Sequence, residues 1–420
     1  MRTDDQVSSW RAVEALRAGV PNRDAVQALG SSQPAIEERF RRQLHEAREG
    51  LHEGRHAVGS IIAGDFGAGK SHVLEYLQHI AIENNFVCSK VVVSKETPLY
   101  DPAKVYNAAV QSAKVPGRTD AALVAVAHKL DFNSAEYAEF YRWVNRPDNE
   151  LSTRFPATVF VFQRGKGDRN PEISDRIIRF WSGSKMGVGE LRGWLNELGE
   201  LVTYKIDKVS AKDLALQRYK FAPRLMAAAG FAGWVILIDE IELISRYSLR
   251  QRAKSYAAIA RLMGKLEGDG IPGLTTVLSI TSDFESVVLD QRNDEEKIPG
   301  RLRSGGGDED LYLAGQVERG MRIIRQDKML LESPTEATIH EIYDKVRAVY
   351  ASAYGWAPPD EYIAPDRTAR IRQHVKRWIN EWDLKRLYPD YTPETEIAEL
   401  LQDYSELPDL EKPSHDNAEG

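Results

Sequence analysis

Residues Gly64-Asp-Phe-Gly-Ala-Gly-Lys-Ser71 decide the fold of this 420-residue chain. They match the phosphate-binding pattern G-x-x-x-x-G-K-[ST] (Walker A) at every specified position. Glycines let the backbone wrap closely around an anion, so that several amide N–H groups point inward. The apolar run 58–63 predicts a strand before the loop, and 69–83 predicts a helix after it, whose positive dipole end faces the same phosphates. This order predicts a nucleotide-binding α/β fold.

The residues of this loop have expected roles in binding Mg²⁺-ATP. The Lys70 side chain is expected to reach the β- and γ-phosphates and to act in catalysis, and the Ser71 hydroxyl is expected to ligate Mg²⁺. His72 follows on the first helical turn, where a surface position is favoured over a catalytic one. The predicted ATP-binding residues are Gly64, Asp65, Phe66, Gly67, Ala68, Gly69, Lys70, Ser71 and His72.

A second acidic element (Walker B) ends the apolar run 234–239, which reads as a buried parallel strand. Phosphoryl transfer needs a carboxylate near Mg²⁺ and a group that activates water. Asp239 suits the first role and Glu240 the second, with Glu242 as a competitor for the base. An Asp-Glu pair here suggests the additional-strand class of ATPases, in which an inserted strand separates the two motif strands.

In that arrangement the next strand, 274–282, ends with a polar sensor of the γ-phosphate. Thr281 is the predicted sensor, and Ser282 is the second choice. A threonine at this position also suits a strand through its β-propensity alone.

Several arginines are candidates for contacting the nucleotide. Oligomeric ATPases often use an arginine from a neighbouring subunit to stabilise transition-state charge, which predicts self-association here. Arg322 is the predicted catalytic arginine, and Arg372, on the flank of the last helix, is the predicted lid sensor. The other candidates for the first role are Arg325, Arg246 and Arg250. A basic face formed by Arg367, Arg370, Lys376 and Arg377 is the best candidate for contact with DNA, or is simply solvated.

The chain divides into four predicted regions. Residues 1–50 form an N-terminal helical region, and 51–332 form the ATPase domain with a mainly helical insertion at about 115–230. Residues 333–389 form a helical lid, which opens with a capping box at Ser333-Pro-Thr-Glu336. Residues 390–420 form an acidic tail, expected to be flexible. The glycine-rich stretch 301–310 is predicted to be a mobile loop.

Charge and composition exclude several classes of protein. The net charge of −7 is concentrated in the tail, where ten acidic residues face one basic residue, Lys412, and the rest of the chain is close to neutral. The lone Cys88 excludes a disulfide scaffold and a cysteine-based zinc site within one chain. No apolar run approaches the ~20 residues that span a bilayer. Without a secretory signal at its N-terminus, the protein is expected to be cytoplasmic.

Four stretches resemble the ATP-binding proteins of bacterial phage-exclusion (BREX) systems, particularly the shorter BrxD-like type. They begin at Gly64, Gly233, Arg246 and Trp378, the last reading Trp-Ile-Asn-Glu-Trp-Asp-Leu. The resemblance implies an AAA+-like P-loop ATPase with a helical lid, acting in a multi-protein anti-phage system. It also implies partners such as a helicase and a DNA methyltransferase.

Two functional hypotheses follow. The first is an ATP hydrolase, converting ATP and water to ADP and phosphate, that drives or licenses a defence complex. The second is a nucleotide switch that turns over very slowly and acts as a scaffold or regulator. A small-molecule kinase shares the phosphate loop, but the Asp239-Glu240 pair suits activation of water.

Overall fold

The computed structural model describes residues 4–20, 22–165, 171–266, 268–362 and 371–390. Its strands are β1 (Ser60–Ala63), β2 (Val87–Val92), β3 (Trp234–Asp239), β4 (Leu274–Ile280) and β5 (Lys328–Leu330). Its helices are α1 (Asp4–Ala18), α2 (Arg23–Leu29), α3 (Pro34–Glu53), α4 (Lys70–Glu83), α5 (Pro102–Ser112), α6 (Ala122–Lys129), α7 (Ala135–Val144), α8 (Arg154–Gly165), α9 (Pro171–Trp181), α10 (Val188–Glu197), α11 (Ala211–Ala228), α12 (Leu249–Leu262), α13 (Asp294–Ser304), α14 (Asp308–Gln326), α15 (Glu336–Tyr354) and α16 (Ile371–Leu387).

The five strands form one parallel sheet in the order β2-β3-β4-β1-β5. Strand β1 leads into the phosphate loop and β3 ends at Asp239, so β4 separates the two motif strands as the sequence predicted. Because the strands are parallel, their carboxyl ends meet at one edge of the sheet. The phosphate loop and the acidic element therefore lie at the same edge.

Hydrophobic cores cover both faces of the sheet because successive side chains of a strand point to opposite faces. In β3, Ile236 and Ile238 enter the larger core with α5, α11, α12 and α14, whereas Val235 and Leu237 enter a smaller core with α3 and α4. The continuous apolar run of β3 is thus explained by burial on both faces.

A third hydrophobic cluster lies outside the sheet and joins the two ends of the described chain. It contains Val13 and Leu16 of α1 with Tyr343 and Tyr350 of α15. Trp382 of α16 packs against both tyrosines, with ring centroids 5.6 and 5.4 Å apart. We call α1, α2, α15 and α16 the helical cluster.

The described part of the predicted insertion is helical, comprising α6 to α11 between β2 and β3. Two local predictions were wrong. Stretch 301–310 is not a loop: α13 runs to Ser304 and α14 begins at Asp308, with buried Leu302 and Ala314 fixing them to the core. The cap of α15 is Thr335, not Ser333, because the Thr335 hydroxyl accepts a hydrogen bond from the Thr338 amide.

Some predictions fall outside the described residues, namely those on Arg367, Arg370 and all of the acidic tail except Asp390. Among the helices that are described, none is long and apolar enough to cross a membrane.

Candidate nucleotide-binding site

The phosphate loop has a backbone that glycine permits and most other residues do not. Gly67 and Gly69 have φ angles of 82° and 101°, in the left-handed region that L-residues with a side chain avoid. Gly64 differs from them, because a Cβ there would stand 2.7 Å from Leu331 Cδ1 and the leucine side chain would have to shift. The pattern of glycines therefore reflects both backbone conformation and close packing.

Lys70 opens α4 and is buried, with its charge directed into the loop. Its Nζ donates to the carbonyl oxygens of Gly64 at 2.9 Å and Asp65 at 3.2 Å. These carbonyls hold the ammonium at the point around which the loop curls. The cation is thereby positioned for an anion bound by the loop.

Ser71 and Asp239 lie side by side at the carboxyl edge of the sheet. The Ser71 hydroxyl donates to Asp239 Oδ2 at 2.6 Å, although 168 residues separate them in sequence. These two oxygens suit Mg²⁺, which is held by few protein oxygens together with phosphates and water. The described residues contain no cluster of three or more His, Cys, Asp or Glu that could hold a metal ion.

Ser279 completes this arrangement and was missed in the sequence. Its hydroxyl donates to Asp239 Oδ1, so both oxygens of this buried carboxylate accept hydrogen bonds from serines. Strand register explains the contact, since Ile238 pairs with Leu278 and the next residues are Asp239 and Ser279. A serine within a buried strand, two residues before Thr281 and on the same face, was the available signal.

Glu240 adopts an unusual backbone conformation. Its φ and ψ are 61° and 40°, and its amide donates to Asp239 Oδ1 at 3.0 Å. In a continued strand, Glu240 would point to the face of the sheet opposite that of Asp239. The left-handed conformation ends the strand pattern, so the Glu240 side chain lies at the edge of the sheet instead. The side chain reaches solvent, yet desolvation and the Asp239 charge raise the pKa of Glu240, while Lys70 and Arg246 oppose that rise.

Glu242, the competitor for the base, is buried on the short 3₁₀ turn Ile241–Arg246. Burial raises the pKa of Glu242 to about 7, against an opposing effect of Lys70. Its Oε2 has no hydrogen-bond partner among the described residues. Glu240 is thus accessible to water, whereas Glu242 is enclosed.

The end of β4 adjoins the start of the phosphate loop. The Gly64 amide donates to the Ile280 carbonyl at 3.2 Å, and the next residue, Thr281, is buried. The Ser282 hydroxyl donates to the Asp65 carboxylate. Both sensor candidates therefore lie beside the loop, with Ser282 bound directly to a loop residue.

The arginine candidates differ in their surroundings. Arg322 is exposed on α14 and forms no ion pair with any described residue. Arg325, one turn further, is paired with Glu285, Asp290 and Glu295. Arg250 pairs with Asp310 at 3.2 Å. Of these three, Arg322 is the one whose guanidinium is available to another molecule.

His72 and Arg372 make contacts away from the phosphate loop. His72 Nε2 donates to the Gly30 carbonyl at 2.7 Å, so its ring contacts the residue after α2. The Arg372 Nε lies close to Gly19, just after α1. Both side chains thus contact the N-terminal helices in this structure.

The sheet and the loop define an α/β protein consistent with a P-loop nucleoside triphosphatase. A family model described as BREX system ATP-binding protein BrxC/D matches residues 6–138 and 202–382, which is most of the chain. The chain belongs to this family of ATP-binding proteins of an anti-phage system. No curated protein sequence matches it.

Proposed function

We propose that the protein is a Mg²⁺-dependent ATP hydrolase of the AAA+-like, additional-strand class. The observation that carries this proposal is the 2.6 Å hydrogen bond between Ser71 and Asp239, with Glu240 next in sequence and exposed at the same edge. The strand order, with β4 between β1 and β3, supports the class.

Each residue has a proposed role in the reaction. The loop 64–71, with the first turn to His72, binds the phosphates through backbone N–H groups, and the Lys70 ammonium offsets negative charge on the β- and γ-phosphates. Ser71 and Asp239 hold Mg²⁺, which supplies charge neutralisation between the phosphates when bound. The Glu240 carboxylate orients the attacking water and accepts its proton. Thr281 senses the γ-phosphate beside the loop.

Two arginines are proposed to act at the same nucleotide or at that of a neighbouring subunit. Arg322 is exposed and unpaired among the described residues, so it is available to contact ATP bound to a second copy of the chain. Arg372 is retained as the lid sensor, which requires that it move from its present contact near Gly19.

The biological setting follows from family membership. We propose that the protein acts in the cytoplasm with other defence proteins, such as a helicase and a DNA methyltransferase, and self-associates on ATP. ATP turnover is best measured with and without DNA.

A second candidate is a slow nucleotide switch. It is favoured by one observation: Arg322, the proposed catalytic arginine, is exposed and has no ion-pair partner among the described residues, so a neighbouring subunit's nucleotide is its proposed target. An isolated chain then binds ATP and turns it over slowly, and acts as a scaffold or regulator until it assembles.

The test compares wild type with Glu240→Gln, Glu242→Gln and Lys70→Ala. We expect Mg²⁺-dependent turnover in wild type, bound but unhydrolysed ATP in Glu240→Gln, and lost binding in Lys70→Ala. Glu242→Gln is the matched control for the base. Wild-type turnover in Glu240→Gln would show that the base is misassigned, and negligible wild-type turnover at every protein concentration, with and without DNA, would favour the switch.

A further inference from the structure

Two connections join the helical cluster to the sheet core, and they run side by side. The first is 30–33, between α2 and α3, and the second is 331–335, between β5 and α15. Gln33 Nε2 donates to the Glu332 carbonyl at 3.1 Å, and the Glu332 amide donates to Gln33 Oε1 at 2.9 Å. One buried amide side chain thus ties both connections into a single crossing point.

The carboxyl end of α2 is held from two sides at this crossing point. The Leu29 carbonyl accepts from Lys345 Nζ of α15 at 3.0 Å, and the next carbonyl, that of Gly30, accepts from His72 Nε2 of α4 at 2.7 Å. The last carbonyls of a helix lack partners within it and carry the negative end of its dipole. Here the Leu29 carbonyl is bound by Lys345 of α15, and the carbonyl of the next residue, Gly30, is bound by His72 of α4.

His72 links this arrangement directly to the phosphate loop because it follows Ser71 on the first turn of α4. A carbonyl oxygen only accepts, so Nε2 carries the hydrogen. A change in the first turn of α4 moves this donor relative to α2.

The far side of α2 is packed tightly enough to transmit such a movement. Ala25 and Val26 are fully buried, and Ala25 belongs to the same hydrophobic cluster as Tyr343 and Trp378. Packed interiors have few voids, so they pass on displacement rather than absorb it. Movement of the α2 end thus bears on α15 through both side-chain packing and the Lys345 hydrogen bond.

We propose that His72 is a positioning residue that couples occupancy of the phosphate loop to the orientation of the helical cluster, through the carboxyl end of α2. The inference rests on the proposed nucleotide binding and names the contact that transmits it. It gives the His72 side chain a role other than contact with ATP.

The test is amide hydrogen exchange on the full chain, with and without the non-hydrolysable analogue AMP-PNP and Mg²⁺, at a concentration that saturates each variant. In wild type we expect the nucleotide to slow exchange at least about threefold in both 64–83 and α15. His72→Leu keeps the backbone N–H that position 72 offers to the phosphates and removes only the ring donor to Gly30, so slowing is expected in 64–83 but not in α15. His72→Gln places an amide donor at a similar reach and restores slowing in α15.

Two further variants protect the test against a general folding defect. Lys345→Met, which breaks the other half of the contact, is expected to reduce slowing in α15 as well. His79→Leu, two turns along α4, is the matched control, because His79 Nε2 has no hydrogen-bond partner within the described parts of the chain, and this variant should retain slowing in α15.

The outcomes separate this inference from the proposed function. Full slowing of α15 in His72→Leu would overturn the coupling role, as would wild-type slowing confined to 64–83. Absence of any wild-type slowing in 64–83 would refute nucleotide binding itself, and the coupling with it.

Discussion

Replacing Glu240 by glycine should give a more stable protein than replacing it by alanine. Both substitutions remove the carboxylate, so their difference isolates the backbone at this position. With φ at 61° and ψ at 40°, residue 240 lies in the left-handed region. A residue with a Cβ pays roughly 1–2 kcal/mol there, whereas glycine does not.

The expected magnitude follows from two opposing terms. Glycine gains roughly 1–2 kcal/mol by relieving the left-handed strain, and it loses roughly 0.5–1 kcal/mol through the greater freedom of the unfolded chain. The net expectation is that Glu240→Gly exceeds Glu240→Ala in free energy of unfolding by about 0.5–1 kcal/mol. At an ordinary helical position the sign is reversed.

The assay is urea unfolding followed by tryptophan fluorescence, with ATP turnover measured on the same preparations. Ala138, exposed within α7, is the matched control, where Ala138→Gly should lose about 0.5–1 kcal/mol. Neither variant at position 240 should hydrolyse ATP, so stability and activity change independently. If Glu240→Gly has a lower free energy of unfolding than Glu240→Ala, as glycine is expected to have relative to alanine at position 138, then the left-handed backbone at residue 240 does not carry the expected strain.

Three other outcomes are expected. Ser279→Ala should lower the free energy of unfolding by about 1.5–3 kcal/mol and weaken Mg²⁺-dependent ATP binding, because it removes one of the two hydrogen bonds that Oδ1 of buried Asp239 accepts and leaves only the one from the Glu240 amide; unchanged calorimetric binding would contradict this. Burial raises the pKa of Glu242 to about 7. Between the usual pKa of a glutamate and 7, the folded state therefore binds more protons than the unfolded state. Glu242 thus makes the free energy of unfolding fall as pH rises through that window. Glu242→Gln should therefore gain stability over wild type from pH 4.5 to 7, reaching about 2–3 kcal/mol, and a pH-independent difference in unfolding curves would reject the assignment. Arg322→Ala should leave the free energy of unfolding within about 0.5 kcal/mol of wild type but reduce ATP turnover at least about tenfold. Arg325→Ala should instead lower the free energy of unfolding, because it leaves three carboxylates close together without their arginine. Thermal melts and initial rates would distinguish the two variants.

Much of the fold could be predicted because its signals are local. The phosphate loop is read from eight consecutive residues, and β3 from an unbroken apolar run. Helix α2 is capped by Asn22, whose side chain accepts from the Ala25 amide at 2.8 Å, and α15 stops at left-handed Gly355. Each of these features depends on residues a few positions apart.

Other features escaped prediction because competing local signals had to be weighed against packing. The run of glycines at 305–307 resembled a loop, yet Leu302 and Ala314 bury the flanking helices α13 and α14 against the core. The capping-box pattern at Ser333-Pro-Thr-Glu336 predicted Ser333 as the cap of α15, yet the Thr335 hydroxyl is the group that accepts a hydrogen bond from the first turn, from the Thr338 amide.

The sequence by itself predicted the groups that are proposed to act on a nucleotide: the glycine loop, Lys70, Ser71 and the Asp239-Glu240 pair. Only the tertiary structure decided how these groups meet. It brought the Ser279 hydroxyl into hydrogen-bonding contact with Asp239 Oδ1 and engaged Arg325 in ion pairs. It also packed α1 and α2 against α15 and α16, which come from the other end of the described chain. The physical reason is that burial, strand register and ion pairing join residues from tens to hundreds of positions apart, and no local pattern encodes those contacts.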